Sequence, residues 1–163
     1  MIRAATRDDI PGLARVHVQS WLETYGRLVP QEILETFTLD FRMAQWNRTL
    51  ENPVDVFVAE IDGEMVGFTS AGTSRIEGFE AEVFTLYLLE RAQGSGLGRA
   101  LLVRALEALW VRGFASCVVS VLAANRSCGF YRHLGGVQVR ATDLEIRGVK
   151  FAGLEFGFKL EPV

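Results

Sequence analysis

A glycine-rich turn, GSGLG at residues 94–98, lies between two apolar stretches of different periodicity. Residues 83–89 are apolar and β-branched, as in a buried strand, and the stretch after the turn repeats leucine at helical spacing. The first amides of a helix have no internal hydrogen-bond partners and lie at the positive end of its dipole. Glycines let a phosphate approach those amides without meeting a Cβ. The sequence therefore predicts a phosphate-bearing ligand here.

Three phosphate-binding patterns compete for this turn. A P-loop requires G-x-x-x-x-G-K-[ST], and no lysine follows these glycines. A dinucleotide-binding fingerprint requires G-x-G-x-x-G/A, but Arg99 occupies the last position and the next strand carries no acid for a ribose. The third pattern, Q/R-x-x-G-x-G/A, is met in full by QGSGLG at residues 93–98. With LYLLERA before it and RALL after it, this stretch resembles the acetyl-CoA-binding motif of the GNAT superfamily of N-acetyltransferases.

A second motif, about thirty residues further along, supports the resemblance. GNAT members carry N-x-x-A-x-x-F-Y followed by a glycine, and the matching residues here are Asn125, Phe130, Tyr131 and Gly135. Cys128 replaces the alanine, and Gly136 replaces the usual aromatic residue. The resemblance implies an enzyme that transfers an acetyl group from acetyl-CoA, its cosubstrate, to a primary amine. Transfer would be by direct attack in a ternary complex, with no metal.

In the family, the coenzyme lies in a V-shaped gap between the central strand and the next strand. The resemblance implies that the central strand pairs with the pantetheine arm and that the glycine-rich turn holds the pyrophosphate. The cofactor-binding residues it implies are Leu86, Tyr87, Leu88, Gln93, Gly94, Ser95, Gly96, Leu97, Gly98, Arg99, Asn125 and Tyr131. Many members have Lys or Arg at the position of Ser95, so Arg91 or Arg99 is expected to compensate for the missing charge.

Two residues are candidates for proton transfer. The resemblance places Tyr131 beside the thioester sulfur, where a phenol of pKa about 10 can protonate a thiolate of pKa about 8.5. The attacking amine must lose a proton, and some members use a glutamate eleven residues before the motif glutamine. Glu82 has this spacing, although a solvated strand end is the alternative interpretation. Enzymes that acetylate ribosomal-protein N-termini have their glutamate at the position of Ser120, which argues against that subfamily.

The acceptor site is less well defined by the sequence. Helical spacing places His17, Trp21 and Tyr25 on one face of the first helix, which in the family forms a wall of the acceptor site. Trp21 and Tyr25 are therefore the predicted substrate-binding residues. Acidic residues such as Glu23 hint at a cationic acceptor, but the identity of the amine stays open. A non-catalytic module that binds acyl-CoA on the same fold is the alternative function.

The composition is that of one globular domain spanning residues 1–163. Of these residues, 49% are hydrophobic, which is enough to build a core. The net charge is −3 and there is no basic run, so nucleic acid is not an expected partner. No apolar segment is long enough to span a bilayer, and the first residues lack the apolar core of a signal peptide. A cytoplasmic protein is expected, and family habit suggests a homodimer.

The pattern of elements predicts a mixed α+β fold. A first strand precedes helical patterns over about residues 10–25, 31–37 and 40–50. A three-strand antiparallel meander with a DG turn leads to the central strand, and a helix, a strand, a helix and two strands follow. This order, β-α-α-β-β-β-α-β-α-β-β, is that of the GNAT fold. The fold is a twisted, mixed but mostly antiparallel sheet of about seven strands with helices on both faces.

Overall fold

The computed structural model describes residues 1–162, which form a seven-stranded sheet and five α-helices. The strands are β1 (Ile2–Ala4), β2 (Asp55–Ile61), β3 (Glu64–Thr73), β4 (Ala81–Leu88), β5 (Ser116–Leu122), β6 (Val137–Ile146) and β7 (Val149–Lys159). The helices are α1 (Ile10–Tyr25), α2 (Gln31–Leu34), α3 (Leu39–Leu50), α4 (Leu97–Val111) and α5 (Ser127–His133). The sheet order is β1-β2-β3-β4-β5-β7-β6, and only β4 and β5 are parallel neighbours. The predicted mixed, mostly antiparallel sheet is confirmed.

Consecutive buried side chains of β2 point to opposite faces of the sheet and show that helices cover both. Val56 and Val58 pack in one cluster with residues of α1 and α3. Phe57 and Ala59 point to the opposite face, where they pack with Leu101 of α4. Helix α5 packs on the same face as α4. Both layers therefore bury apolar side chains against the sheet, and each fully buried aliphatic or aromatic side chain contributes roughly 1.5–3 kcal/mol.

Helix α2 is shorter than the sequence pattern predicts. It is a single turn that ends at Leu34, and α3 begins anew where the Thr38 hydroxyl accepts a hydrogen bond from the Phe41 amide at 3.1 Å. Helix α5 begins at Ser127, just after Asn125, whose side-chain carbonyl accepts from the Ser127 amide at 2.9 Å. Thr38 and Asn125 therefore each satisfy an amide in the first turn of a helix.

Strands β4 and β5 pair over only two positions, Ala81 with Cys117 and Glu82 with Val118. Beyond them, β4 remains paired with β3 along its whole length, and β5 is paired with β7 at seven positions. The two strands therefore separate after their first residues and leave a gap in the middle of the sheet. This gap matches the V-shaped opening that the family resemblance implies.

The sheet ends at β6, where Val137 and Val139 are 65% and 48% exposed. The homodimer expected from family habit stays a prediction. None of the helices within residues 1–162 is both long and apolar enough to cross a membrane.

Helix α1 carries a buried histidine. His17 is 3% exposed and contacts the rings of Trp46, Phe68 and Tyr87. Its Nδ1 accepts a hydrogen bond from the Trp46 indole at 3.2 Å, so Nδ1 carries no proton. Burial, and then the nearby charge of Arg42, lower the pKa of His17 to about 2. This residue is therefore neutral in the folded protein at neutral pH.

We expect the burial of His17 to make the protein sensitive to mild acid. Its unfolded-state pKa is about 6.5, so below that pH the unfolded chain binds a proton that the folded chain does not. The contribution of His17 to stability is complete above pH 6.5 and is lost as the pH falls toward 2. Between pH 6 and 5, its slope approaches about 1.4 kcal/mol per pH unit.

Urea unfolding of the wild type and of His17→Gln over this pH range measures the effect. Glutamine retains an acceptor for the Trp46 indole but does not titrate. Asp9, whose pKa is lowered to about 2 mainly by a hydrogen bond from Arg3, changes its charge at lower pH and does not interfere. Parallel slopes for the two proteins would contradict the prediction.

Candidate active site

The glycine-rich turn forms the N-terminus of α4, as predicted. Gly94 and Gly96 have φ of +76° and +85°, in the left-handed region that favours glycine. The Ser95 hydroxyl donates to a backbone carbonyl of the preceding turn at 2.6 Å. The first hydrogen bond within α4 runs from the amide of Ala100 to the carbonyl of Gly96, so the amides of residues 97–99 precede it. The turn therefore presents backbone N–H groups at the positive end of a fifteen-residue helix.

The charged and polar side chains around the turn differ in what they contact. Gln93 donates from its side-chain amide to the carbonyl of Leu88 at 3.2 Å and so ties the turn to the end of β4. Arg91 forms an ion pair with Glu64 at 2.8 Å, which argues against its predicted role in compensating for Ser95. Arg99 is exposed and lines a cavity of about 240 Å³ between α4 and α5. Arg99 is therefore the cation better placed to meet a phosphate.

The edge of β4 that faces the gap carries backbone groups that pair with no other strand. The amide of Leu89 donates to the carbonyl of Val66 in β3 at 2.8 Å. Because backbone groups of a strand point alternately to its two sides, the N–H and C=O groups of Leu86 and Leu88 point toward the gap. Those of Tyr87 point toward β3, while its side chain packs against α1. The predicted residues of β4 thus offer the edge that an extended ligand could pair with.

Four predicted residues come together where α1, β4 and α5 meet. The hydroxyls of Tyr25 and Tyr87 lie 3.4 Å apart and share a hydrogen bond. The side chain of Asn125 is also near the Tyr25 hydroxyl, and the Tyr131 phenol lies close enough to Tyr25 to be influenced by its charge. The gap between β4 and β5 allows this meeting, because Tyr25 belongs to one helical layer and Tyr131 to the other.

Tyr131 is 5% exposed and stacks on Phe156, with ring centroids 5.9 Å apart. Burial, with smaller effects of Tyr25 and Cys128, raises the pKa of Tyr131 well above its usual value, so the phenol holds its proton at neutral pH. Cys128 is also buried, and its thiol donates to the carbonyl of Leu122 at 3.5 Å. Burial raises the pKa of this thiol too, which agrees with a packing role rather than that of a nucleophile.

Glu82 is 2% exposed, so the alternative of a solvated strand end is wrong. Its neighbours Ala81 and Val83 pack on the α4 side of the sheet, and Glu82 therefore points to the α1 side. The carboxylate is engaged by Arg75, which donates from its backbone amide at 3.0 Å and from Nη2 at 2.7 Å. Glu82 is thus a buried carboxylate held by one arginine, whose own side chain is 73% exposed.

A second buried carboxylate lies on the same face of the sheet and was not predicted. Glu155 of β7 is 3% exposed and accepts from Arg140 Nε at 2.8 Å. Its partner across the strands is Ser120, whose hydroxyl is buried without a hydrogen bond to any residue in the range 1–162. Glu155 therefore lies directly beside the position at which some GNAT members carry their glutamate. The one sequence signal for Glu155 is the alternation of β7, which puts Glu155 on the face of the sheet opposite to that of Phe156.

The predicted acceptor residue Trp21 has an unforeseen neighbour. The Trp21 ring lies 4.7 Å from that of Tyr25, and its indole N–H is buried without a partner among the described residues. The guanidinium carbon of Arg42, from α3, lies 4.8 Å from the centroid of the Trp21 ring. Arg42 is only 2% exposed, and no motif in the sequence singles it out. Trp21 also lines a cavity of about 270 Å³ between α1 and α2.

This arrangement combines four chemical capabilities. The turn before α4 offers amides to an anion, and the open edge of β4 offers hydrogen bonds to an extended arm. The buried phenol of Tyr131 offers a proton, and two buried carboxylates offer acceptors for one. Residues 1–162 contain no group of three or more His, Cys, Asp or Glu side chains placed to hold a metal ion.

Comparisons with known proteins agree with this chemistry. The chain matches the model of the Acetyltransferase (GNAT) family over residues 16–135. It is 36% identical over 161 residues to YuaI of Bacillus subtilis (strain 168), described as an uncharacterized N-acetyltransferase, and the match covers 96% of this chain and 91% of YuaI.

Two solved structures share the fold. One is the PaiA N-acetyltransferase from Thermoplasma acidophilum in complex with coenzyme A, with a TM-score of 0.74, 23% identity and 98% of each chain covered. The other is yncA from Salmonella typhimurium with its cofactor acetyl-CoA, with a TM-score of 0.75, 22% identity and coverage of 100% of this chain and 95% of that one. The family match spans most of the chain and confirms the resemblance seen in its motifs: the chain belongs to the GNAT family of acetyltransferases.

Proposed function

We propose that this protein transfers the acetyl group of acetyl-CoA to the nitrogen of a primary amine. The observation that carries the proposal is the gap between β4 and β5, because it joins an open strand edge to the amides before α4 and to the Tyr131 phenol. An elongated ligand with a diphosphate at one end and a thioester at the other fits that order of features.

The coenzyme would be held mainly by backbone groups. Its diphosphate would accept hydrogen bonds from the amides between Gly94 and Arg99, with the Arg99 guanidinium adding charge. Its pantetheine arm would pair with the gap-facing N–H and C=O groups of Leu86, since the Leu88 carbonyl already accepts from Gln93, and Asn125 would bind an amide of the arm. The solved GNAT structures with coenzyme A or acetyl-CoA bound support this choice of ligand.

Acetyl transfer then requires two proton movements. The neutral amine attacks the thioester carbonyl while the amide of Leu88 stabilises the developing negative charge on the carbonyl oxygen. The C–N bond forms, the C–S bond breaks, and Tyr131 gives its proton to the departing thiolate. The nitrogen loses a proton through water molecules to Glu82, which lies six residues before Leu88 on β4, and the products are an acetamide and coenzyme A. Holding both substrates in one complex supplies much of the rate.

We expect Tyr131→Phe to abolish turnover without abolishing coenzyme binding. Phenylalanine preserves the stacking on Phe156 but has no proton to give, so kcat is expected to fall by about 10²–10⁴-fold. Thiol release from acetyl-CoA with a panel of amines measures the rate, and calorimetry with coenzyme A measures binding. A wild type that binds coenzyme A and acetylates no amine would favour the non-catalytic module instead.

The glycine-rich turn supplies a second test. Gly96→Ala forces a side chain into a backbone conformation with φ of +85°, at a cost of about 1 kcal/mol or more, and should displace the amides from the diphosphate. We expect roughly tenfold weaker coenzyme A binding, which corresponds to about 1.4 kcal/mol.

Gly98→Ala is the matched control for this test. Its Cβ would meet Phe130 at 3.6 Å, an ordinary contact, and its φ is not positive. Affinity for coenzyme A should therefore stay close to that of the wild type. If both variants lost the same affinity for coenzyme A, the loss would not come from the left-handed backbone at Gly96, and the prediction would be wrong.

Variants of the two buried carboxylates, Glu82 and Glu155, test which of them acts as the base. We expect Glu82→Gln to lower kcat/KM at neutral pH by about 10²-fold or more, with a smaller loss at high pH because more of the amine is then already neutral. Glu155→Gln is a matched variant, since Glu155 is equally buried and is also paired with one arginine. A large loss in Glu155→Gln alone would transfer the role to that residue.

A further inference from the structure

Arg42 presents buried hydrogen-bond donors that the protein leaves unsatisfied. Its Nη1 donates to the side chain of Gln45 at 2.8 Å, but Nε and Nη2 are buried with no partner anywhere in residues 1–162. The guanidinium carbon lies 4.8 Å from the ring centroid of Trp21, 4.5 Å from that of Phe37 and 5.6 Å from that of Phe41. We call these three rings and the guanidinium the arginine cage.

No carboxylate within the described residues forms an ion pair with Arg42. Burial lowers its pKa to about 10, so it still carries its charge at neutral pH. Enclosing an unpaired charge costs several kcal/mol, whereas a contact with an aromatic ring returns only about 0.5–2 kcal/mol. The cage therefore stabilises the guanidinium without neutralising it.

Donors, acceptors and a second cation surround the cage. The Trp21 indole N–H is buried without a close hydrogen bond, and the Tyr87 hydroxyl is a neighbouring acceptor. The hydroxyl of Tyr87 is near enough for the charge of Arg42 to act on it. Arg147, in the turn between β6 and β7, stacks on Phe37 and Phe41 with its guanidinium carbon 4.7 Å from each ring centroid. Gln45, the Tyr87 hydroxyl and Glu35, which lines the cavity beside Trp21 and Phe37, are acceptors nearby, but none of them pairs with Nε or Nη2 of Arg42. The unpaired edge of the guanidinium is therefore suited to an anion.

The shape of the donor set favours a carboxylate among anions. Two unsatisfied nitrogens of one guanidinium form a planar fork, which matches the two oxygens of a carboxylate. Glu23 first suggested a cationic acceptor. Its carboxylate does not pair with Arg42 but accepts a hydrogen bond from the amide of Glu90 at 2.8 Å.

The arginine cage adjoins the residues assigned to acetyl transfer. The ring of Trp21 lies 4.7 Å from that of Tyr25, and the Tyr25 hydroxyl reaches Tyr87 at 3.4 Å. Tyr25 is in turn a neighbour of Asn125 and Tyr131. A small acceptor with its carboxylate in the cage would therefore extend its amine toward the residues assigned to acetyl transfer.

We propose that the arginine cage binds a carboxylate of the acceptor, so that the amine acetylated by this protein is that of a small aminocarboxylic acid. The inference rests on the proposed function for the amine, but the carboxylate site has its own evidence in the donors of Arg42 and Trp21. Simple alkylamines and lysine side chains within proteins lack a carboxylate at this distance and are expected to be poor acceptors.

The test pairs amino acids with their carboxamides, with thiol release from acetyl-CoA as the readout. We expect kcat/KM to be at least tenfold higher for the acids, even though the amine of a carboxamide is more often neutral. Arg42→Met should raise KM for the acids by about 10- to 100-fold and leave the carboxamides unchanged. Trp21→Phe removes the indole N–H together with part of the ring over which Arg42 lies, and should weaken the acids by a smaller factor.

Arg48→Met is the matched control, because Arg48 is an exposed arginine on the same helix. Binding of coenzyme A, which does not involve Arg42, shows that each variant is folded. If Arg42→Met does not fold, Trp21→Phe and Arg42→Lys provide the same comparison, since lysine keeps the charge and loses the fork. An equal preference for acids and carboxamides in the wild type would overturn the carboxylate site and leave the acetyltransferase proposal standing.

A wild type that acetylates no amine would contradict the proposed function instead. Calorimetry with N-acetyl amino acids and their carboxamides then decides on the cage alone. Binding of the acids that is lost in Arg42→Met supports the carboxylate site. Absence of binding, or binding that is unchanged in Arg42→Met, rejects it.

Discussion

The separation of β4 from β5 is the constraint on which the rest of the structure depends. After two paired positions, β5 pairs only with β7 and β4 pairs only with β3, so the backbone groups of β4 and β5 that face each other form no hydrogen bonds between the strands. Unpaired backbone groups in the middle of a sheet are costly unless water or a ligand pairs with them. At this gap the sheet no longer separates the two helical layers, and Tyr25 and Tyr131 approach each other through it. One feature thus creates both a binding edge and a place where donors from opposite faces meet.

Charge buried on the α1 side of the sheet is the second organising feature. Glu82 and Glu155 are each held by an arginine that reaches in from the surface, and His17 avoids the cost of charge by staying neutral. Arg42 follows neither course, since it stays charged and has no acid to pair with. In a protein that otherwise compensates its buried charges, this exception marks the place where an external anion would complete the structure.

The parts of the site that could be predicted from sequence are those fixed by local geometry. A strand, a glycine-rich turn and a helix are contiguous in the chain, and residues 93–98 therefore predicted an anion site before any packing was known. Asn125 and Tyr131 likewise belong to one short helix and the residues just before it. Glu155 could not be found this way, because its place beside Ser120 depends on β7 lying next to β5. Arg42 was missed for the same reason: its cage joins α1 to α3, and its unpaired state is visible only once every neighbour is known.

In the proposed site, backbone groups hold the coenzyme, whereas side chains hold the acceptor. The coenzyme contacts proposed at the turn and on β4 are mostly backbone amides and carbonyls, whose positions follow from the fold and not from side-chain identity. The acceptor wall is built from the side chains of α1 and α3 and from Arg147 in the β6–β7 turn. Substitutions there can change the chemistry of the wall without disturbing the sheet or the turn before α4. The proposed acceptor site therefore lies in a layer that is structurally separate from the proposed coenzyme site, so that Arg42 could be replaced there without changing the backbone groups that would hold the coenzyme.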